Sequence, residues 1–197
     1  MIRFAIALIG SYLLGSIPTA YLIVKRLKRV DVRTVGSGNV GATNVTRVAG
    51  MRAGAVVFLL DVAKGLVAVR GLAPWLILSL TPAARLDCGL MTVIGHAYPV
   101  FLAFRGGKGV ATTIGVLVGT MPAVAGICLL VWIAGFLLSR YVSLASLAAV
   151  AALPLAQGFA RQSMPEILLG ATLALLVILR HRTNIERLAQ GTEHRWR

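Results

Sequence analysis

The run from Gly109 to Ser139 carries no charged side chain over 31 residues. As one α-helix it would rise about 46 Å at 1.5 Å per residue, well beyond a hydrocarbon core of about 30 Å. Gly119 and Pro122 offer a break, because proline cannot continue a helix that precedes it. The run therefore predicts two helices, 110–121 and 123–139, the first too short to cross unless the bilayer thins or loops dip in. A second uncharged run, 4–24, is long enough to span alone. It is too long for the apolar part of a cleaved signal peptide, and Lys25, Arg26, Lys28 and Arg29 follow it. Hydrophobic residues make up 58% of the 197-residue chain and charged residues 13%. A soluble domain carries about 25% charged residues, so a soluble fold is excluded in favour of an all-α integral membrane protein.

Further spans are expected at 53–70, 86–104, 142–160 and 164–180, with a re-entrant or interfacial stretch over 71–84 on the outer side. The chain has 20 Lys and Arg against 6 Asp and Glu, a net charge of +14. The basic residues gather in short loops, which marks a cytoplasmic side rather than a nucleic-acid surface. Splitting 109–139 gives a seven-transmembrane-helix bundle with short or half-membrane helices. Its N-terminus lies outside, and its tail, with Arg180, Arg182, Arg187, Arg195 and Arg197, is cytoplasmic. No linker divides it, so 1–197 is expected to be one domain. Cys88 and Cys128 have no metal-ligand spacing and read as packing residues.

Three segments carry chemistry. Residues 36–47 read GSGNVGATNVTR. Gly36, Gly38 and Gly41 match a dinucleotide fingerprint, but no strand precedes them, so that reading fails. The glycines still allow backbone N–H groups to converge on an anion. Ser37, Asn39, Thr43 and Asn44 add short donors, and Arg47 adds a fork suited to phosphate. The alternative is a plain turn with a helix cap. Residues 95–112 read GHAYPVFLAFRGGKGVAT. A Walker A loop fails here, because Gly109 follows Lys108. Gly106 and Gly107 with Arg105 and Lys108 make either a second anion site or a contact with lipid headgroups. In the tail, His181, Asn184 and Leu188 fall at helical spacing, which a helix cap also explains. Asp61 and Lys64 lie at i, i+3 inside a span, either as an ion pair supporting the glycine-rich loop or as a substrate contact. Ser143 and Ser146 stand at a helix start, where capping is the plain reading.

Taken together, GSGNVGATNVTR, DVAKG at 61–65, GHAYPVFLAFRGGKGVAT and NIERLAQGTE at 184–193 resemble the bacterial acyl-phosphate:glycerol-3-phosphate acyltransferases, in order and spacing over essentially the whole chain. The resemblance implies acyl transfer from a fatty acyl phosphate to the 1-hydroxyl of glycerol 3-phosphate. The products are lysophosphatidic acid and inorganic phosphate. It implies no cofactor and no metal, a monomer in the bacterial inner membrane, and an active site on the cytoplasmic face. Ser37, Arg47, Lys108, His181 and Asn184 would be catalytic and hold glycerol 3-phosphate. Gly38, Asn39, Gly41, Thr43 and Asn44 would cradle the acyl phosphate. Gly106, Gly107, Ser143 and Glu193 complete the binding set, with Glu193 orienting the tail. A His-x4-Asp signature is absent, since Phe101 stands five residues after His96. A phosphate oxygen of the donor is then the expected proton acceptor. The rival reading is a transporter of organic phosphates, which would want inverted repeats and a midplane site.

Overall fold

The computed structural model describes residues 1–77 and 81–196. These residues form helices and connecting turns, in two compact units, Met1–Thr120 and Met121–Arg197.

The first unit opens with α1 (Ile2–Ser16) and α2 (Thr19–Lys28). The two form one helical stretch, Ile2–Lys28, in which the expected span over 4–24 lies, with a local break at Ile17–Pro18. Pro18 has no N–H, and the residue before a proline is pushed out of the helical region. Ile17 accordingly takes ψ 117°. A loop leads to the short α3 (Ala42–Ala49), and Gly50 turns the chain into α4 (Met51–Val67). A π turn at Ala68–Leu72 carries α4 into α5 (Ala73–Leu76). The second expected span therefore begins earlier and runs further than 53–70. Of the stretch expected to be re-entrant, 71–76 continue this helix, Ile77 is extended, and Leu78, Ser79 and Leu80 lie outside the described residues.

Helix α6 covers Pro82–Ala97, not 86–104. Its start is set by Thr81, whose Oγ1 accepts from Ala84 N–H at 3.1 Å, with Pro82 at the first helical position. Its end is set by Pro99, which follows Tyr98. Helix α7 (Val110–Thr120) has 11 residues, about 16 Å. It crosses α4 with backbones nearly touching. A Cβ on Gly65 would collide with the Thr112 carbonyl, and one on Gly115 with the Val62 carbonyl. This is the small-residue packing that lets helices associate within lipid.

The second unit holds α8 (Pro122–Ser139), α9 (Val142–Phe159), α10 (Met164–Arg180) and α11 (Arg182–Ala189). The break anticipated at Gly119–Pro122 is present, with α7 and α8 separate helices. The bounds expected for the last two spans agree within a residue. Arg140, at φ 63°, closes α8 by donating its N–H to Phe136 O. Trp132 donates Nε1–H to Ser146 Oγ at 3.1 Å and stacks on Phe136 at 5.2 Å, joining α8 to α9. Ser163 and Glu166 form a reciprocal cap on α10.

Among the described residues, three helical stretches are long and apolar enough to cross a membrane, Ile2–Lys28, Pro122–Ser139 and Val142–Phe159. A fourth is α10 with α11, bent by 59°. Large apolar side chains on their outer faces, such as Leu130, Leu138 and Leu155, are exposed. Exposed faces of that kind suit lipid, and the protein is an all-helical integral membrane protein.

Candidate active site

The loop between α2 and α3 is pinned before it is shaped. Val32, Val40 and Val45 pack into a buried cluster with Ala20, Val24, Val57 and Leu102. Between these anchors Gly36 and Gly38 take φ 61° and 70°, a left-handed conformation that favours glycine. Ser37 stands between them and is exposed. One side chain knots the loop. Asn44, 1% exposed, accepts the Ser37 N–H on Oδ1 at 2.8 Å. Its Nδ2 donates to the carbonyls of Val32, Val35 and Asn39 at 3.1–3.2 Å. The amide of Asn44, expected among the substrate-binding residues, is committed to the loop and shapes it from inside. Asn39 and Thr43 are half-buried, Arg47 is exposed, and Gly41 opens α3 at its N-terminus. A helix start concentrates N–H groups and positive potential.

The second loop folds back on the end of α6. Gly107 N–H donates to His96 O at 3.0 Å, and Phe104 N–H to Pro99 O at 2.9 Å. Gly106 has no room for a side chain against His96 O, Ala97 O and the Pro99 ring. A Cβ on Gly107 would strike His96 Nε2 and stand 2.6 Å from Val40 O. The two glycine-rich loops therefore meet, at Val40 and Gly107. Lys108 follows directly, half-buried, before Gly109 (φ 85°) starts α7.

Beneath this loop pair lies a buried ionic group. Asp61 is 1% exposed and Lys64 5%. Lys64 Nζ donates to Asp61 Oδ1 at 2.8 Å and to Thr19 Oγ1 at 3.1 Å, and also to Ile17 O. Thr19 Oγ1 donates to Asp61 Oδ1 at 2.7 Å. Of the two roles open for this pair, the geometry favours support. Sequence reasoning missed Thr19, although Pro18 inside an apolar run was a signal that a backbone carbonyl there would need a donor.

In the second unit Glu193 is the organiser. Its Oε1 accepts from Ser143 Oγ–H and from Asn184 Nδ2–H, each at 2.7 Å, and its Oε2 accepts from Arg187 Nε–H at 2.7 Å. Burial would raise the Glu193 pKa, but these three donors outweigh it and hold the carboxyl below its ordinary value. Ser143 is thus tied to the tail rather than capping its helix, which has no side-chain cap hydrogen bond. Arg187 was not among the expected residues. His181 is buried, and its Nδ1 lies 2.7 Å from Val177 O. A carbonyl only accepts, so Nδ1 carries a proton and donates it in this contact.

The expected residues thus fall into two sets. Ser37, Gly38, Asn39, Gly41, Thr43, Asn44, Arg47, Gly106, Gly107 and Lys108 lie on the two meeting loops and α3 of the first unit. Ser143, His181, Asn184 and Glu193 gather in the second.

The glycerol-3-phosphate acyltransferase family model matches residues 5–191. A glycerol-3-phosphate acyltransferase of Aquifex aeolicus is 47% identical, over 95% of this chain and 96% of its own. One of Myxococcus xanthus is also 47% identical, over 98% of each. A crystal structure of PlsY (YgiH), an integral membrane glycerol 3-phosphate acyltransferase in its glycerol 3-phosphate form, superimposes with a TM-score of 0.91. It is 43% identical, over 98% of this chain and 96% of that one. Its lysophosphatidic acid form gives 0.87 at 41% identity, over 98% and 94%.

Proposed function

Since the chain belongs to the glycerol-3-phosphate acyltransferase family, we propose that it acylates the 1-hydroxyl of glycerol 3-phosphate with a fatty acyl phosphate as donor. The meeting of the two glycine-rich loops, beside a helix start and next to Lys108, is the observation that supports this most. Both substrates carry phosphate. Backbone N–H groups, short polar side chains and cations are the groups that hold phosphate.

In the reaction the hydroxyl oxygen attacks the acyl carbonyl carbon. The bond from that carbon to the phosphate oxygen breaks, and inorganic phosphate leaves. The hydroxyl proton passes to a phosphate oxygen of the donor. Acyl phosphate is already activated, so positioning and charge stabilisation supply most of the rate. Ser37, Arg47 and Lys108 of the first unit, with His181 and Asn184 of the second, act on glycerol 3-phosphate. Gly38, Asn39, Gly41 and Thr43 cradle the acyl phosphate, Gly106 and Gly107 permit close approach, and Asn44, Ser143 and Glu193 hold the ligating segments in place. The two units work as one catalytic domain, in a monomer.

The basic loops support an N-terminus outside and a cytoplasmic tail, the orientation that goes with seven crossings, some of them short or half-membrane helices. The site then lies on the cytoplasmic face of the inner membrane. Single cysteines at the exposed positions 37, 105 and 182 should all label from that face, and a split would refute the topology.

Purified protein in detergent, given palmitoyl phosphate and glycerol 3-phosphate, should release lysophosphatidic acid and phosphate in equal amounts. Detergent offers no compartments, so a transporter of organic phosphates would give no product. Absence of product from folded protein overturns the proposal.

A further inference from the structure

We infer that His96, which the acyl transfer does not use directly, is a positioning residue that ties the buried Asp61–Lys64–Thr19 group to the loop carrying Lys108. The inference rests on the proposed role of that loop in binding glycerol 3-phosphate.

His96 occupies the last turn of α6 and is 8% exposed. It has two neighbours on opposite sides. Its Nδ1 lies 3.7 Å from Asp61 Oδ1, a close polar approach longer than a hydrogen bond. On the other side, its Nε2 edge fills the space where a Gly107 side chain would stand, beside Val40 O. The backbone adds a third tie, because His96 O accepts the Gly107 N–H at 3.0 Å. Gly107 is therefore held by the same residue through main chain and ring, and Lys108 is the next residue.

The other end of the strut is stiff for its own reasons. Pro18 removes an N–H and breaks the helix between α1 and α2. Lys64 donates to the Ile17 carbonyl at that break. The same Nζ bonds Thr19 and Asp61, and Thr19 passes its own hydroxyl proton toward Asp61. The Lys64 ammonium and Asp61 Oδ1 each meet partners of opposite polarity, which a buried charge requires. Asp61 thus cannot move without disturbing α2, α4 and α6 together. A ring of that kind does no chemistry on acyl phosphate by itself. What it does is fix where His96 stands, and so where Gly107 and Lys108 stand.

Steady-state kinetics of the purified protein in detergent tests this, with both substrates varied. Loss of folded protein lowers the apparent kcat and leaves both KM values alone. A displaced Lys108 instead raises the KM for glycerol 3-phosphate and spares the KM for palmitoyl phosphate. His96→Ala should raise the glycerol 3-phosphate KM about tenfold or more, a scale expected when a ligating group shifts by a fraction of an ångström. His96→Asn, which keeps a polar side chain between Asp61 and Gly107, should recover a large part of that loss. Thr19→Val, which removes a donor to Asp61 at nearly constant volume, should raise the same KM severalfold and serves if His96→Ala does not fold. Lys108→Ala separates the two layers. If it leaves the glycerol 3-phosphate KM unchanged, the assigned role of the loop falls, and this inference with it. If Lys108→Ala raises that KM while His96→Ala or Thr19→Val does not, the inference alone is overturned.

Discussion

The two units hold their polar segments by opposite means. In the first, the organising groups are buried and saturated: Asn44 and Asp61 are each 1% exposed, and every polar atom of the Asn44 side chain is bonded to the loop it shapes. In the second, one carboxylate on a partly exposed tail draws Ser143, Asn184 and Arg187 together. The first arrangement is built from backbone and desolvated charge, so it is rigid. The second is a clasp whose strength depends on one titratable group. A segment that is far from a helix in sequence can be gathered this way, but it can also be let go.

The largest test removes a charge from the rigid unit. Asp61→Ala leaves the Lys64 ammonium buried without its carboxylate, and should destabilise the protein by about 3–5 kcal/mol. Thermal unfolding in detergent reads this, and an unchanged midpoint would remove the contrast between the units. Replacing Asp61 and Lys64 together by apolar residues of similar volume should restore much of that loss, because an uncompensated charge is worse than none.

Next comes Gly107→Ala. The added carbon meets the His96 ring and the Val40 carbonyl, and neither can yield without moving a loop. We expect kcat/KM to fall about 100-fold, roughly 2.7 kcal/mol at 1.36 kcal/mol per decade, with the protein still folded. Retained kinetics would show that the junction of the loops is softer than its packing implies.

The clasp should respond less. Glu193→Gln replaces a charge-assisted bond to Arg187 with a weaker one and should loosen the tail by about 1–2 kcal/mol. Limited proteolysis of the segment after Ala189 measures it. In the unaltered protein the Glu193 pKa is lower folded than unfolded, so its contribution is complete above the ordinary carboxylate pKa of about 4.3. It is lost as pH falls through the lower, folded-state value. Trp196, whose N–H donates to Arg140 O, reports the release by fluorescence. Glu193→Gln should abolish that acid transition, and an identical transition in the variant would assign it elsewhere.

The smallest effect is expected at the surface. Asp31 pairs with Arg33 at 2.7 Å, with both side chains partly in solvent. Asp31→Asn should cost less than about 1 kcal/mol. A larger loss would mean that the loop start matters as much as its buried knot.

Charge and proline placement made much of the helix order legible. Arg140, Pro165 and Arg180 bracket the last helices, and Pro122 separates α7 from α8, as the bare sequence suggests. Helix ends set by a single cap or proline were harder. Thr81 starts α6 ahead of Arg85, so a span expected to begin after that charge starts too late. Pro18 lies inside an apolar run whose length already suffices for a span, so the run itself does not reveal the local break. At the site, the residue types suited to phosphate stood out, and their segments do form the loops. What could not be read was the division of labour within them. Asn44 and Ser37 look alike as short polar residues, and only the fold turns one inward and the other outward. Thr19 and His96 sit far from Asp61 in sequence, so nothing local betrayed their association.

The close crossing of α4 and α7 changes what a routine mutational survey of this protein would mean. Alanine scanning is designed to delete side chains and read what is lost. At Gly65 and Gly115 the same substitution instead inserts a methyl between two main chains. A survey that scores all positions on one scale would rank these among the most sensitive in the molecule, yet no side chain there makes any contact. Their contribution is vacancy, and the informative replacements are those that restore space on the opposite helix.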